Sequence, residues 1–170
     1  MRILILFVSL ALFTAIAAAQ EKCKLNLNEA PKLHNVRLGM SAEEATRAFQ
    51  NRIKVKAKSD GQSSFFKNFI KKRAKGNLAG IRAIFLRFYR GRIYQIELFY
   101  EEDHRWRDLE SLLDDYSIQN NFPREFWQTK FEYASAKCMG FSLKADYKLN
   151  PHIQLTDDVA AKLVKNAREK

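Results

Sequence analysis

The sequence predicts an α+β fold: an antiparallel sheet of about four to five strands with helices packed on one face. Three observations carry that expectation. Gly80–Tyr100 reads as two long strands around a tight turn at Arg90-Gly91, and a link that short makes antiparallel neighbours. Stretches with helical spacing of apolar residues are interleaved with stretches of two-residue alternation, in the order helix, strand, helix, strand, strand, helix, strand, strand, helix. The strands follow one another by hairpin-type links, which leaves the helices on one side of the sheet.

With 170 residues, 46% of them hydrophobic and 12% aromatic, the chain is long and apolar enough for one domain with a core, and its composition excludes wholesale disorder. Its start has the three parts of a secretory signal peptide over residues 1–19. Arg2 is the positive region, Ile3–Ile16 the apolar region, and Ala17-Ala18-Ala19 a small-residue cleavage site before Gln20. An uncleaved anchor fits less well, because the apolar stretch is short for a bilayer span and ends in that cleavage pattern. Residues 20–36 read as an extended N-terminal segment, with Pro31 as a breaker, and 37–170 as a single α+β domain. A secreted or periplasmic location follows. The two cysteines, Cys23 and Cys138, are then expected to form one disulfide. Neither has a CxxC partner or a nearby histidine that would favour a metal or redox site.

The first domain helix starts at Ser41, a good N-cap, and Glu44 three residues on completes a capping box. Ala45, Ala48 and Phe49 give it a narrow apolar stripe as far as about Asn51. Ile53–Lys58 alternates and predicts a short strand with its lysines toward water. Phe65, Phe66, Phe69 and Ile70 fall on one face of a helix ended by Gly76-Asn77, a face that packs on the core or, alternatively, touches anionic lipid. In the hairpin, a three-residue turn with left-handed Gly91 is preferred. It gathers Ile84, Leu86, Phe88, Tyr94, Ile96, Leu98 and Tyr100 on one face. Asp103 caps a second helix bearing Trp106, Leu109, Leu113 and Tyr116, broken at Asn120-Asn121, and Pro123 starts a short helical turn. Thr129–Ala134 and Lys137–Asp146 are strands, and Ile153–Leu155 a brief extended run. Thr156 caps a last helix whose inner stripe is Val159, Ala160, Leu163 and Ala167.

The charge is uneven. The formal net charge is +11, or +10 once Arg2 is removed. Between Arg52 and Arg92 there are thirteen Lys or Arg and one acid, Asp60, whereas Glu101–Asp115 holds seven acids and two arginines. Such a basic segment can steer anionic partners, although a solvated, soluble surface is the blander and preferred reading of it. Its candidate binding residues are Lys54, Lys56, Lys67, Lys71, Lys72, Arg73, Arg90 and Arg92.

The Leu38-Gly39-Met40-Ser41 helix start followed by a meander resembles the small lipoproteins of the bacterial outer-membrane barrel-assembly machinery and the β-lactamase inhibitor proteins. The mature chain also resembles small secreted bacterial proteins that share this helix start, a hairpin of the Phe88–Tyr94 type and a late Cys138-Met139-Gly140-Phe141 strand. The resemblance implies helices on a sheet and assigns no site. The chain differs from the lipoproteins in having no acylated cysteine at the cleavage point.

Motifs for chemistry are sparse. His34, His104 and His152 are far apart and form no H-E-x-x-H pair. No G-x-S-x-G turn, Walker loop or dinucleotide fingerprint is present, so no cofactor or metal is expected. The expectation is an exported, non-catalytic binding or interaction domain for an anionic surface of the envelope, a lipid headgroup or an acidic protein. Nucleic acid is a weaker partner, since export argues against it. The alternative is a small secreted hydrolase with an unrecognised site, built on scattered acids or His104.

Overall fold

The structure, a computed structural model, describes residues 22–57, 60–66, 70, 78, 80–101, 108–147 and 151–169. The leader, its cleavage site, Phe69, Gly76-Asn77, Asp103, His104 and Trp106 lie outside the described residues.

Seven strands form one antiparallel sheet: β1 (Gln62–Phe66), β2 (Ile81–Tyr89), β3 (Arg92–Tyr100), β4 (Gln128–Lys130), β5 (Tyr133–Lys137), β6 (Phe141–Asp146) and β7 (His152–Asp157), in the order β1-β2-β3-β7-β6-β5-β4. The expected α+β class holds, but the count of four to five strands is corrected to seven. Three misread stretches explain the difference. Gln62–Phe66 is a strand and not the start of a helix, so Phe65 (8% exposed) and Phe66 (59%) face opposite ways. Thr129–Ala134 is a hairpin, β4 to β5, turning at Phe131-Glu132 with Lys130 opposite Tyr133. Ile153–Leu155 is the middle of a six-residue strand at the centre of the sheet. In the other direction, Ile53–Ala57 alternates as expected but joins no ladder.

The hairpin turn is also corrected. It has two residues, Arg90 (φ 49°) and Gly91 (φ 73°), with Tyr89 opposite Arg92 and Phe88 opposite Ile93. Two left-handed residues match the strand twist in such a loop. A bulge then inserts Tyr94 as an extra residue, so Gln95 meets Arg87, Ile96 meets Leu86 and Leu98 meets Ile84. The apolar face is thus kept by a bulge inside β3, and Ile93 takes the place on it that was expected of Tyr94.

That face carries the core. Ile84, Leu86, Ile96, Leu98, Ile153, Leu155, Leu143, Ala145, Ala134 and Ala136 line up across the register of five strands, each 2% exposed or less. Two helices add to it: α1 (Ala42–Ala48) with Ala45 and its C-cap Phe49, and α2 (Leu109–Asn120) with Leu109, Leu112, Leu113 and Tyr116. Asp108 caps α2, its side chain accepting from the Ser111 N–H, and left-handed Asn121 ends it. Behind α2, the rings of Tyr116, Phe122 and Trp127 meet edge to face.

The third helix, α3 (Asp158–Arg168), is capped by Asp157 instead of Thr156, which is a buried residue of β7. It lies across the other side of the sheet, so helices cover both faces and not one. Gln95 and Thr156, which face away from the core, are buried beneath it at 7% and 8% exposure. At its start Ser142 donates to Asp158 (2.7 Å), and at its end Val164, Ala167 and Arg168 border Gln62 and Arg87. Away from α3, this face carries half-buried Phe85 and Phe99 and exposed Phe66. A row of rings crosses it from β1 to β7: Phe66 to Phe85 (5.8 Å), Phe85 to Phe99 (5.5 Å) and Phe99 to His152 (4.9 Å, stacked). Cys23 and Cys138 form the expected disulfide, with Cα atoms 4.7 Å apart, and tie the N-terminal segment to the β5–β6 turn.

Candidate functional site

The site is built from the capped start of α1 and the extended strap that follows it. The Ser41 hydroxyl accepts from the Glu44 N–H (3.2 Å), and Glu44 accepts from the Ser41 N–H (2.7 Å), closing the capping box. Backbone bonds from Gly39 N–H to Ile93 O and from Ile93 N–H to Met40 O, both 2.8 Å, clamp the helix start to β3. Gly39 (φ 79°) allows the sharp approach. Arg92 secures the same point, donating to Glu44 (2.9 Å) and to the Gly39 carbonyl (3.3 Å).

After α1 the chain reverses through left-handed Gln50 and Asn51 and returns as Ile53–Ala57. Ile53 and Val55 are buried, which turns Lys54 and Lys56 outward. Hydroxyls fix the strap where a ladder does not. Thr46 accepts from the Val55 N–H (2.9 Å) while donating to Ala42 O (2.9 Å), and the Ser63 hydroxyl donates to Lys56 O. Between helix and strap runs an open groove of about 840 Å³, whose polar lining is Glu43, Thr46, Arg47, Asn51, Lys54, Lys56 and Gln62. Among the described residues no carboxylate pairs with Arg47, Lys54 or Lys56. Glu43, the one acid of the lining, accepts from the Ser41 hydroxyl (2.8 Å). That bond, its backbone bond and nearby Arg47 and Arg92 hold its carboxyl below the ordinary glutamate value, so it is ionised at neutral pH. Three cations and two amides around an elongated groove can grip an anion. Its hydroxyl, on Thr46, is committed to the backbone, donating to Ala42 O and accepting from the Val55 N–H.

The structure therefore brings together two of the eight cations singled out in the sequence, Lys54 and Lys56. Arg92 is paired with Glu44, and Arg90 leans over the Tyr89 ring (5.2 Å) while its backbone N–H bonds to Asp60 (2.7 Å). Lys67, Lys71, Lys72 and Arg73 lie outside the described residues. The third cation, Arg47, escaped the sequence reading because it sits just before the basic segment. The reversal at Gln50-Asn51 was the signal that would have set it opposite Lys54. The two described histidines do not converge: His34 lines a separate cavity of about 250 Å³, and His152 stacks on Phe99. No group of three metal-ligating side chains occurs among the described residues.

Since the capping box anchors the groove wall, Ser41→Ala is expected to cost about 1 kcal/mol in urea unfolding. Glu44 also adds a pH dependence. Its folded pKa is lowered from 4.5, chiefly by the Ser41 N–H bond, with Arg92, Arg47 and Arg37 assisting against some desolvation. Its contribution is present above 4.5 and is lost as pH falls through the lower folded value. Acidification below that range should lower the urea midpoint of the wild type more than that of Glu44→Gln; equal slopes would refute the coupling. Compared with family models, curated proteins and solved structures, the chain matches none.

Proposed function

We propose that the chain is an exported, non-catalytic binding module that holds an anionic component of the cell envelope in the groove between α1 and the Ile53–Ala57 strap. The convergence of Arg47, Lys54 and Lys56 on one cleft, with no acid among the described residues within ion-pair distance of any of them, carries the reading. A rigid frame supports it, since the capping box, the Thr46 bond and the clamp to β3 hold the cations in place before a ligand arrives. Export is supported by the leader in the sequence and by the Cys23–Cys138 disulfide, which suits an oxidising compartment. No helix among the described residues is long and apolar enough to cross a membrane.

Polyphosphate of defined length is a suitable probe. The chain from Gln20 should bind it at low salt, with affinity falling at least tenfold between about 20 mM and about 200 mM salt. Lys54→Glu/Lys56→Glu should weaken low-salt binding by a further factor of roughly ten. Absence of binding at low salt, or an unchanged affinity in the double variant, would overturn the reading.

A further inference from the structure

On the exposed side of α3, two large apolar side chains stand among the charged ones. Val159 is 62% exposed and Leu163, one turn on, 46%, and α3 has no buried residue. Of the stripe that the sequence assigned to the core, Val159 and Leu163 point away from it, whereas Ala160 is half-buried, as are Ala161 and Val164. Two more exposed apolar side chains, Met139 (62%) and Leu27 (36%), belong to the neighbouring segments. Backbone contacts join the three pieces. The Asp158 N–H donates to Gly140 O (3.0 Å), the Met139 N–H donates to Leu25 O (2.9 Å), and a Cβ on Gly140 would stand 3.9 Å from that of Leu27. The disulfide fastens the same corner. Four large apolar side chains held together in this way form a patch, not a scatter.

The surrounding charges indicate what covers it. Lys162 shares the exposed side of α3 with Val159 and Leu163, and Lys22, Lys24 and Lys137 flank the other segments, all four exposed. Among the described residues, the acids of this corner are held in hydrogen bonds within the chain, which fix their positions and leave their charges in place beside the lysines. Glu29 accepts from the Asn26 backbone (2.9 Å), Asp157 from the Ala160 N–H (2.9 Å) and Asp158 from Ser142 (2.7 Å). Further along α3, Glu169 lies 3.8 Å from Lys165. Apolar side chains rimmed by lysines match the chemistry of the bilayer interface, where the former enter the acyl boundary and the latter meet anionic headgroups. A second copy of the chain fits poorly, because these four residues expose on the order of 400 Å², about half of what each partner of a stable complex buries.

We propose that this corner docks on an anionic bilayer surface, with Val159, Leu163, Met139 and Leu27 entering the interface. The proposal stands apart from the groove, whose lining includes none of these four side chains and uses different cations. The test takes the chain from Gln20 with its disulfide intact and measures co-sedimentation with vesicles of mixed phosphatidylglycerol and phosphatidylcholine, and with phosphatidylcholine alone. Binding to the anionic vesicles should be at least tenfold tighter than to the neutral ones. Val159→Asp/Leu163→Asp should reduce it at least tenfold, with Met139→Glu as an independent second variant and circular dichroism confirming that both fold. Lys54→Glu/Lys56→Glu should stay bound to vesicles whether or not it still holds polyphosphate, so each reading can fail alone. Three results would overturn the proposal: equal or absent binding to both vesicle types, folded apolar-patch variants that bind as the wild type does, or loss of vesicle binding confined to the groove variant.

Discussion

Reduction of the Cys23–Cys138 disulfide, or its removal by Cys23→Ser/Cys138→Ser, should lower unfolding stability by about 4–5 kcal/mol, measured in urea with and without reductant. The two cysteines are 115 residues apart. A link that long removes much of the conformational freedom of the unfolded chain, and loop-closure entropy grows with the logarithm of the loop. The native corner loses its fastening at the same time. The N-terminal segment otherwise holds to the body through the Asn26–Met139 bridge, the Met139-to-Leu25 bond and the packing of Leu33, Val36 and Leu38 in the core. Residues 22–30 should therefore lose hydrogen-exchange protection first on reduction, ahead of the sheet. A loss below about 1 kcal/mol would mean that this segment is held by its packing and that the bond is dispensable.

What could be read from the sequence was local. The Ser41–Glu44 box, the place of the Arg90-Gly91 turn though not its length, and the stop at Asn121 depend on residue types at fixed spacing, the cysteine pairing on there being only two, and each is present. Strand identity was less legible where a strand's two faces are alike. Phe65-Phe66 has the same residue on both sides of β1, so nothing in the pattern separates strand from helix. The bulge at Tyr94 was hidden because Ile93 and Tyr94 are both apolar, and either could complete the inner face. Long-range placement was not legible at all. No local signal says that His152–Asp157 inserts between β3 and β6, or that α3 crosses the far face and so turns Val159 and Leu163 to solvent. The groove was half visible for the same reason: alternation sets Lys54 and Lys56 on one side, but Arg47 joins them only through the tertiary fold-back of the strap.

That insertion of β7 carries the largest expected effect of a single core change. In the strand order β1-β2-β3-β7-β6-β5-β4, β7 is the one strand that joins the first three to the last three. Leu155 lies opposite Ile96 on one side and Leu143 on the other, and Ile153 lies between Leu98 and Ala145, all at 2% exposure or less. Leu155→Ala should cost about 3–5 kcal/mol, since the void opens at the seam where both halves meet and neither can collapse into it alone. Gln154→Pro is the sharper test, because its outward side chain leaves the core volume unchanged while proline removes a ladder donor and stiffens the central strand. If β7 makes one cooperative unit of the sheet, hydrogen exchange in Gln154→Pro should show β2, β3 and β6 losing protection together. Should β2 and β3 stay protected while β5 and β6 exchange freely, the hairpin half would be an independent folding unit, and β7 a docking strand instead of the seam of the fold.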